Sequence, residues 1–269
     1  MVKPQNKYQE RTYRKSVSSK RFFSFCVSYE ETDLYISIDN RSYDPQMQQF
    51  IQDRIQLYRK EIETFASIYP AFYSSLVPIQ SIETSSQIIK KMLTASNISG
   101  IGPMAGVAGA FSECIGKDLI KAFDCNEVII ENGGDIFLHT VESVTVSIFA
   151  GSSVFSEKLG LCIPGGISPL GICTSAGTVG HSLSFGKADA VVIVCKNTQL
   201  ADAYATKYAN MIKEKSDINR IIEEIGKKED VISSVIIKED MIGICGNFEL
   251  IKLKKEYNEQ DKQKKRRTI

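Results

Sequence analysis

The chain lacks most of the features that assign a function at sight. Its 33 basic and 32 acidic side chains leave a formal net charge of +1, so no global field points to nucleic acid or to an anionic membrane. No apolar run approaches the length needed to cross a bilayer. The start, Met1-Val-Lys-Pro-Gln-Asn-Lys, is polar and has no hydrophobic core of a signal peptide, so a cytoplasmic protein is expected. Only two histidines, His139 and His181, are present, which leaves little scope for a His-rich metal site. The seven cysteines are odd in number, scattered and without a Cys-x-x-Cys pair. That pattern fits small core residues in a reducing compartment better than a zinc or disulfide framework.

What is present is the material of an ordinary globular chain: 269 residues, 43% hydrophobic and 24% charged, enough for one large domain or two small ones. Apolar patterning predicts strands over 22–28 and 33–38, then a long helix from about Pro45, because Phe50, Ile51, Ile55, Tyr58, Ile62 and Phe65 recur at helical spacing. A second amphipathic helix is predicted over 84–95, and a Gly- and Ala-rich helix over most of 100–115. Strands follow near 127–131, 135–139, 144–149 and 159–163, and again at Ala190-Val-Val-Ile-Val-Cys195. Helices at 199–213 and 217–226 and strands near 231–238, 241–246 and 249–253 repeat the earlier order. No Pro/Ser/Gly linker separates the halves, so one α+β domain over 21–253 is expected, between a flexible basic N-terminus (1–20) and a disordered basic tail (254–269).

Four glycine-bearing segments are candidates for chemistry. Gly100-Ile-Gly-Pro-Met-Ala-Gly106 fails as a dinucleotide loop, because its spacing is Gly-x-Gly-x-x-x-Gly and a helix, not a strand, precedes it. Small residues such as Gly106 still allow close approach of a backbone or a flat ligand. Asn132-Gly133-Gly134-Asp135 lies between two strand-like runs and reads as a hairpin turn whose bare backbone could contact a ligand. Cys173-Thr174-Ser175-Ala-Gly177 reads as a loop whose hydroxyls and amides could cradle a phosphate. Ser175 with His181 invites a nucleophile–base pairing, but no nucleophile elbow or orienting carboxylate accompanies it. Gly180 to Ala188 is not a Walker A, since five residues separate its glycines and Ala188 stands where Ser or Thr is needed.

The most informative stretch is Leu200-Ala-Asp-Ala-Tyr-Ala-Thr206, at the start of a helix capped by Asn197 or Thr198. Asp202 and Thr206 are four residues apart, so both oxygens leave one helix face as a hard-oxygen pair suited to Mg²⁺ shared with a substrate phosphate. The alternative is a carboxylate that merely offsets a positive helix N-terminus.

Taken in order, Asn-Gly-Gly-Asp-Ile, Thr-Ser-x-Gly and the strand followed by Ala-Asp-Ala-x-Ala-Thr resemble the ApbE family, the FAD:protein FMN transferases. More closely, Glu31-Thr-Asp-Leu, Gly102-Pro-Met-Ala and Gly180-His-Ser-Leu-Ser-Phe-Gly-Lys-Ala-Asp-Ala resemble a compact branch related to ApbE without assigned activity. The resemblance implies a duplicated T-fold, with antiparallel sheets backed by helices. It also implies Mg²⁺ at Asp202 and Thr206 beside the pyrophosphate of FAD or a related nucleotide. On the same basis Gly133, Gly134, Asp135, Thr174 and Ser175 would bind the cofactor, and Asn132, Gly177 and Gly106 from the glycine-bearing segments are cofactor-binding candidates beside them. His181, one of only two histidines and in the loop with Ser175, is with Ser175 the catalytic candidate. The family's Ala-Lys-Gly segment has no lysine here, and His181 follows Ser175 by only six positions instead of standing in a later His-x-x-x-Pro-x-x-Gly segment. Two classes therefore stay open. One is an enzyme of the FMN-transferase or FAD-pyrophosphatase kind; the other is a flavin- or nucleotide-binding protein without turnover. The expected partner is a small phosphate-bearing ligand, with no nucleic acid and no membrane, and a homo-oligomer is left open.

Overall fold

The computed structural model describes residues 20–80, 82–177 and 186–253. His181 and the tail from Lys254 lie outside them, as do residues 1–19. Two hairpin strands, β1 (Phe22–Tyr29) and β2 (Thr32–Asp39), are followed by α1 (Gln46–Ile68), α2 (Pro70–Ser74), α3 (Gln87–Ser99) and α4 (Val107–Phe123), then by β3 (Val128–Asn132) and β4 (Asp135–His139). After β5 (Val144–Ser147) and β6 (Leu159–Ile163) the pattern returns: β7 (Leu170–Ser175), β8 (Ala190–Cys195), α5 (Thr198–Met211), α6 (Asp217–Gly226), β9 (Val231–Lys238) and β10 (Met241–Gly246). β11 (Glu249–Lys252) closes the described chain.

The two repeats share one antiparallel sheet of eight strands, in the order β1-β2-β3-β4-β7-β8-β9-β10, and β11-β6-β5 form a second, smaller sheet. Chain connectivity puts two strands, helices and two strands in each repeat, so the fold is an α+β duplication, as the resemblance implied.

Side-chain periodicity assigns the layers. In α1 the buried residues Met47, Ile51, Ile55, Tyr58, Ile62 and Phe65 recur every three or four positions, one stripe turned to the sheet. They pack with α3 and α4 on Leu34, Ile36, Ile38, Val128 and Ile130. In the second repeat Ile218, Ile221 and Ile225 of α6 join α5 on Val191, Ile193 and Ile236. The small sheet covers the opposite face, where Leu161, Ile163 and Phe248 meet Leu138, Val192, Val194 and Val235. β8 is therefore sandwiched, and all six of its residues are buried. That explains its continuous run of β-branched side chains.

Three sequence expectations need correction. The second helix spans 87–99 rather than 84–95: the Ser86 side chain accepts from Ile89 N, and Gly100 ends it at φ 81°. The next helix begins as a 3₁₀ turn at Pro103 and runs on to Phe123. The segment 170–175, read as a loop from Cys173 onward, is strand β7, paired along both sides with β4 and β8. No single helix among the described residues is long and apolar enough to cross a membrane.

Candidate functional site: a buried carboxylate pair where two helices begin

The site forms where the first turns of α4 and α5 cross over the end of β4 and the middle of β7. Glycines permit that crossing. A Cβ on Gly109 would lie 2.6 Å from Thr198 O, one on Gly106 would lie 2.6 Å from Gln199 O, and one on Gly171 would lie 2.3 Å from Thr198 Cα. Contact of this kind needs bare backbone. Gly106, expected to bind cofactor, thus has a packing role against α5.

The close approach lets each helix receive a carboxylate from the other. Gly109 N donates to Asp202 Oδ2 at 2.9 Å, and Thr198 N donates to Glu113 Oε2 at 2.7 Å. The first N–H groups of a helix have no partner within it, and both carboxylates meet that need across the crossing. Asn197, one of the two expected caps of α5, accepts from Leu200 N at 2.9 Å. Asp202 does offset a helix N-terminus, as the alternative reading held, but the helix is α4 rather than its own.

Asn132-Gly133-Gly134-Asp135 is the expected hairpin: Asn132 pairs with Asp135, and Gly133 and Gly134 take φ values of 70° and 107°, a left-handed turn that glycine adopts freely. Its partners tie it to the helices. Asn132 Nδ2 donates to Ala108 O at 3.2 Å and Ser112 Oγ to Asp135 O at 2.9 Å. Glu131 Oε1 accepts from Gly134 N at 2.8 Å, while Thr174 N donates to Gly134 O at 3.1 Å.

The turn therefore delivers Asp135 to the floor beneath Asp202. Both side chains are buried, at 8% and 6% exposure. Burial raises the Asp135 carboxyl well above its usual range, and the neighbouring Asp202 carboxylate raises it further, against the Cys173 thiol that donates to it. Burial lifts Asp202 to about 7 although the amides of Gly109 and Ala108 favour its charged form. Among the described residues, no basic side chain is one of the groups that act most on either carboxylate. Two buried acids sharing one site, without a counter-charge among the described residues, are an arrangement that a cation or a shared proton can relieve.

The donor set suits a hard cation held jointly with a ligand. Among the described residues no three His, Cys, Asp or Glu side chains stand together as a self-sufficient metal site. Asp202 with the half-buried Thr206 one turn on, and Asp135 below, instead offer oxygen donors only, the chemistry that Mg²⁺ takes while keeping positions for phosphate and water. Thr174 and Ser175 are half-buried at the end of β7. Gly177 N donates to Ala188 O at 2.8 Å, and a Cβ there would lie 2.2 Å from Gly186 O. The two stems of the segment carrying His181 are thus pinned together.

Sequence reasoning missed three residues of this region. Glu113, Ser112 and Cys173 act on partners 85, 23 and 38 positions away in sequence, counting Thr198, Asp135 and Asp135. The available signal was Glu113 itself, one acid on the small, apolar face that also carries Gly109, Ala110 and Gly116. A separate groove of about 410 Å³, lined by Arg54, Tyr58, Glu61, Ser86 and Asp118, lies along α1. Its charged groups satisfy one another, with Tyr58 and Arg54 on Asp118 and Ser86 on Glu61.

Fold and site together define an ApbE-like α+β protein. The solved ApbE protein of Thermotoga maritima superposes with a TM-score of 0.52 at 12% identity, covering 82% of this chain and 96% of that one. A family model described as "AbpE bacteria" matches residues 14–237, and the chain belongs to that family. Relatives include UPF0280 proteins of Methanococcus aeolicus, 36% identical over 226 residues (82% of this chain, 89% of the relative), and of Methanocaldococcus jannaschii, 32% identical over 240 residues (87% and 95%).

Proposed function

We propose that this protein binds a flavin dinucleotide, or a closely related phosphate-bearing nucleotide, together with one Mg²⁺ ion held by Asp202, Thr206 and Asp135. One observation carries the reading: Asp135 and Asp202 are both buried and both carboxyls are raised, Asp135 by burial and by Asp202 and Asp202 by burial, with no basic side chain among the described residues that act most on them. A divalent cation supplies that charge and neutralises phosphate oxygens at the same spot. The ApbE motifs lead to the same ligand class, since Asp202 and Thr206 match that family's closing Asp and Thr.

The chain's own residues divide the remaining work. The Gly133–Gly134 backbone lets a ligand approach closely, because neither residue carries a side chain. At the end of β7, Ser175 lies on the same strand face as Cys173 and offers a hydroxyl suited to a phosphate oxygen, whereas Thr174 lies on the opposite face and reaches the turn through its amide, which donates to Gly134 O. The amides of Gly109 and Ala108 hold Asp202 in place, so the carboxylate keeps one orientation instead of searching among rotamers. Ligand binding is the part of the ApbE activity that these residues support. Transfer of an FMN or nucleotidyl group would also need a proton-transfer residue, the role for which His181 is the candidate.

Calorimetric titration of FAD, FMN and ATP into the protein, each with Mg²⁺ and with a chelator, tests the proposal. FAD is expected to bind at least tenfold more tightly with Mg²⁺ in the wild type, and Thr206→Val is expected to remove most of that gain. Equal affinity for every nucleotide with and without Mg²⁺ would refute it.

A further inference from the structure

Among the described residues β1 ends the eight-stranded sheet, and its sequence suits its outer edge to pairing. Its sequence, Phe-Phe-Ser-Phe-Cys-Val-Ser-Tyr, has no charged residue, proline or glycine, and it pairs with β2 at all eight positions without a shift. Native edge strands are normally blunted by lysine, proline, a bulge or short length, and β1 has none of these. The opposite edge, β10, contrasts with it. β10 carries two glycines, one at φ 99°, and is flanked by Glu239 and Asp240 on one side and by uncharged Asn247 and Phe248 on the other.

The ends of β1 are oppositely charged: Lys20 and Arg21 precede it, and Glu30 and Glu31 form the turn that follows. That turn has two residues, since Tyr29 pairs with Thr32. In such a hairpin the residues flanking the turn are a hydrogen-bonded pair. The backbones of Tyr29, Phe25 and Phe23 therefore address β2, and those of Phe22, Ser24, Cys26 and Ser28 point outward. Two-fold symmetry permits only registers in which outward residues pair with outward residues. The two that give fullest overlap centre on Phe25 or on Cys26. The first sets Lys20 opposite Glu30 of a second copy; the second sets Arg21 opposite Glu31. Arg21 is held in place by Glu127 at 2.9 Å, and both glutamates by Arg59. In both registers Phe23, which is 41% exposed and has its ring centroid 3.9 Å from that of the tilted Tyr43 ring, joins Phe25 and Val27 along an apolar seam.

We propose that β1 is the interface of a symmetric homodimer, in which two copies pair antiparallel through this strand into one continuous sheet. The occupant is a second copy of this chain because the charge pattern complements itself under a two-fold axis, which the β10 edge does not.

The test is sedimentation velocity on the full-length protein across a wide concentration range, with Cys26→Lys and Ile244→Lys in parallel. Cys26 is exposed, so its lysine variant should keep the wild-type circular dichroism melt. The wild type and Ile244→Lys should be dimers and Cys26→Lys a monomer. If Cys26→Lys fails to fold, a short bis-maleimide decides: it should link wild-type subunits through Cys26, and Cys26→Ser should lose the link but remain dimeric. A wild type that stays monomeric, a dimer that survives Cys26→Lys, or a cross-link through Cys162 or Cys245 would overturn the proposal.

Discussion

Helices α4 and α5 exchange carboxylates at their starts, but the two exchanges have opposite surroundings. Glu113 sits between Lys91 at 2.8 Å and Lys117 at 2.5 Å as well as on Thr198 N. Burial pushes its carboxyl up, but Lys91, Lys117 and the Thr198 amide outweigh burial and hold it below the usual range. Asp202 has only amides for support and faces Asp135, and its carboxyl is raised. The same geometric task, satisfying a helix N-terminus, needs only one of these environments. The α4 carboxylate is complete within the fold, whereas the α5 carboxylate has no positive partner among the described residues. On that asymmetry rests the proposal that Asp202, and not Glu113, is the ligand-binding acid; burial alone does not separate the two.

The largest effect should come from breaking the complete exchange. Glu113→Ala leaves the buried Thr198 amide without its acceptor and two lysines without their shared partner, and should cost about 3 kcal/mol. Urea denaturation of variant and wild type reads this directly. A change below about 1 kcal/mol would mean that the lysines and the helix end find other partners at little cost.

The pH dependence of stability should differ in sign between the two acids. Glu113, with its folded carboxyl below the usual 4.5, contributes stability that is present above that value and lost as pH falls through the folded one. Asp202, raised from 3.8 to about 7, binds its proton more tightly in the folded state. Its contribution is full below 3.8 and lost as pH rises towards about 7. Glu113→Gln should therefore flatten the acid limb of the metal-free stability profile, and Asp202→Asn the limb that falls towards neutrality. Variants that flatten the same limb would contradict the distinction.

A smaller effect sharpens the geometry. Gly109→Ala would bring a methyl group to 2.6 Å from Thr198 O and 2.9 Å from the Asp202 Cβ. Overpacking here should cost about 1–3 kcal/mol, more than the ~1 kcal/mol that alanine gains over glycine inside a helix. Net stabilisation in a thermal melt would show that the crossing is looser than described.

Much of this was legible in the sequence, for identifiable reasons. The hairpin at Gly133–Gly134 and the cap at Asn197 are local signals, and local chemistry decides them. The periodic stripe of α1 and the buried run of β8 each reflect one uniform surrounding. β7 was missed, and its polar end read as a loop, because Thr174-Ser175 carries the composition of a loop while long-range pairing to β8, with β4 alongside as far as Cys173, makes it a strand. The Asp202–Thr206 spacing was visible in the sequence, and both residues lie on α5 as expected. That Asp135 faces Asp202, and that Glu113 mirrors Asp202, follow from a helix crossing that no local pattern encodes.

The Asp135–Asp202 pair, and not Glu113, is the proposed site of a divalent cation. Electron paramagnetic resonance of free Mn²⁺, titrated with protein and FAD, counts bound ions without depending on turnover. The wild type and Glu113→Gln should each remove one Mn²⁺ per chain, and Asp202→Asn, at equal folded fraction, should remove none. Equal Mn²⁺ binding by Asp202→Asn and wild type would contradict the account.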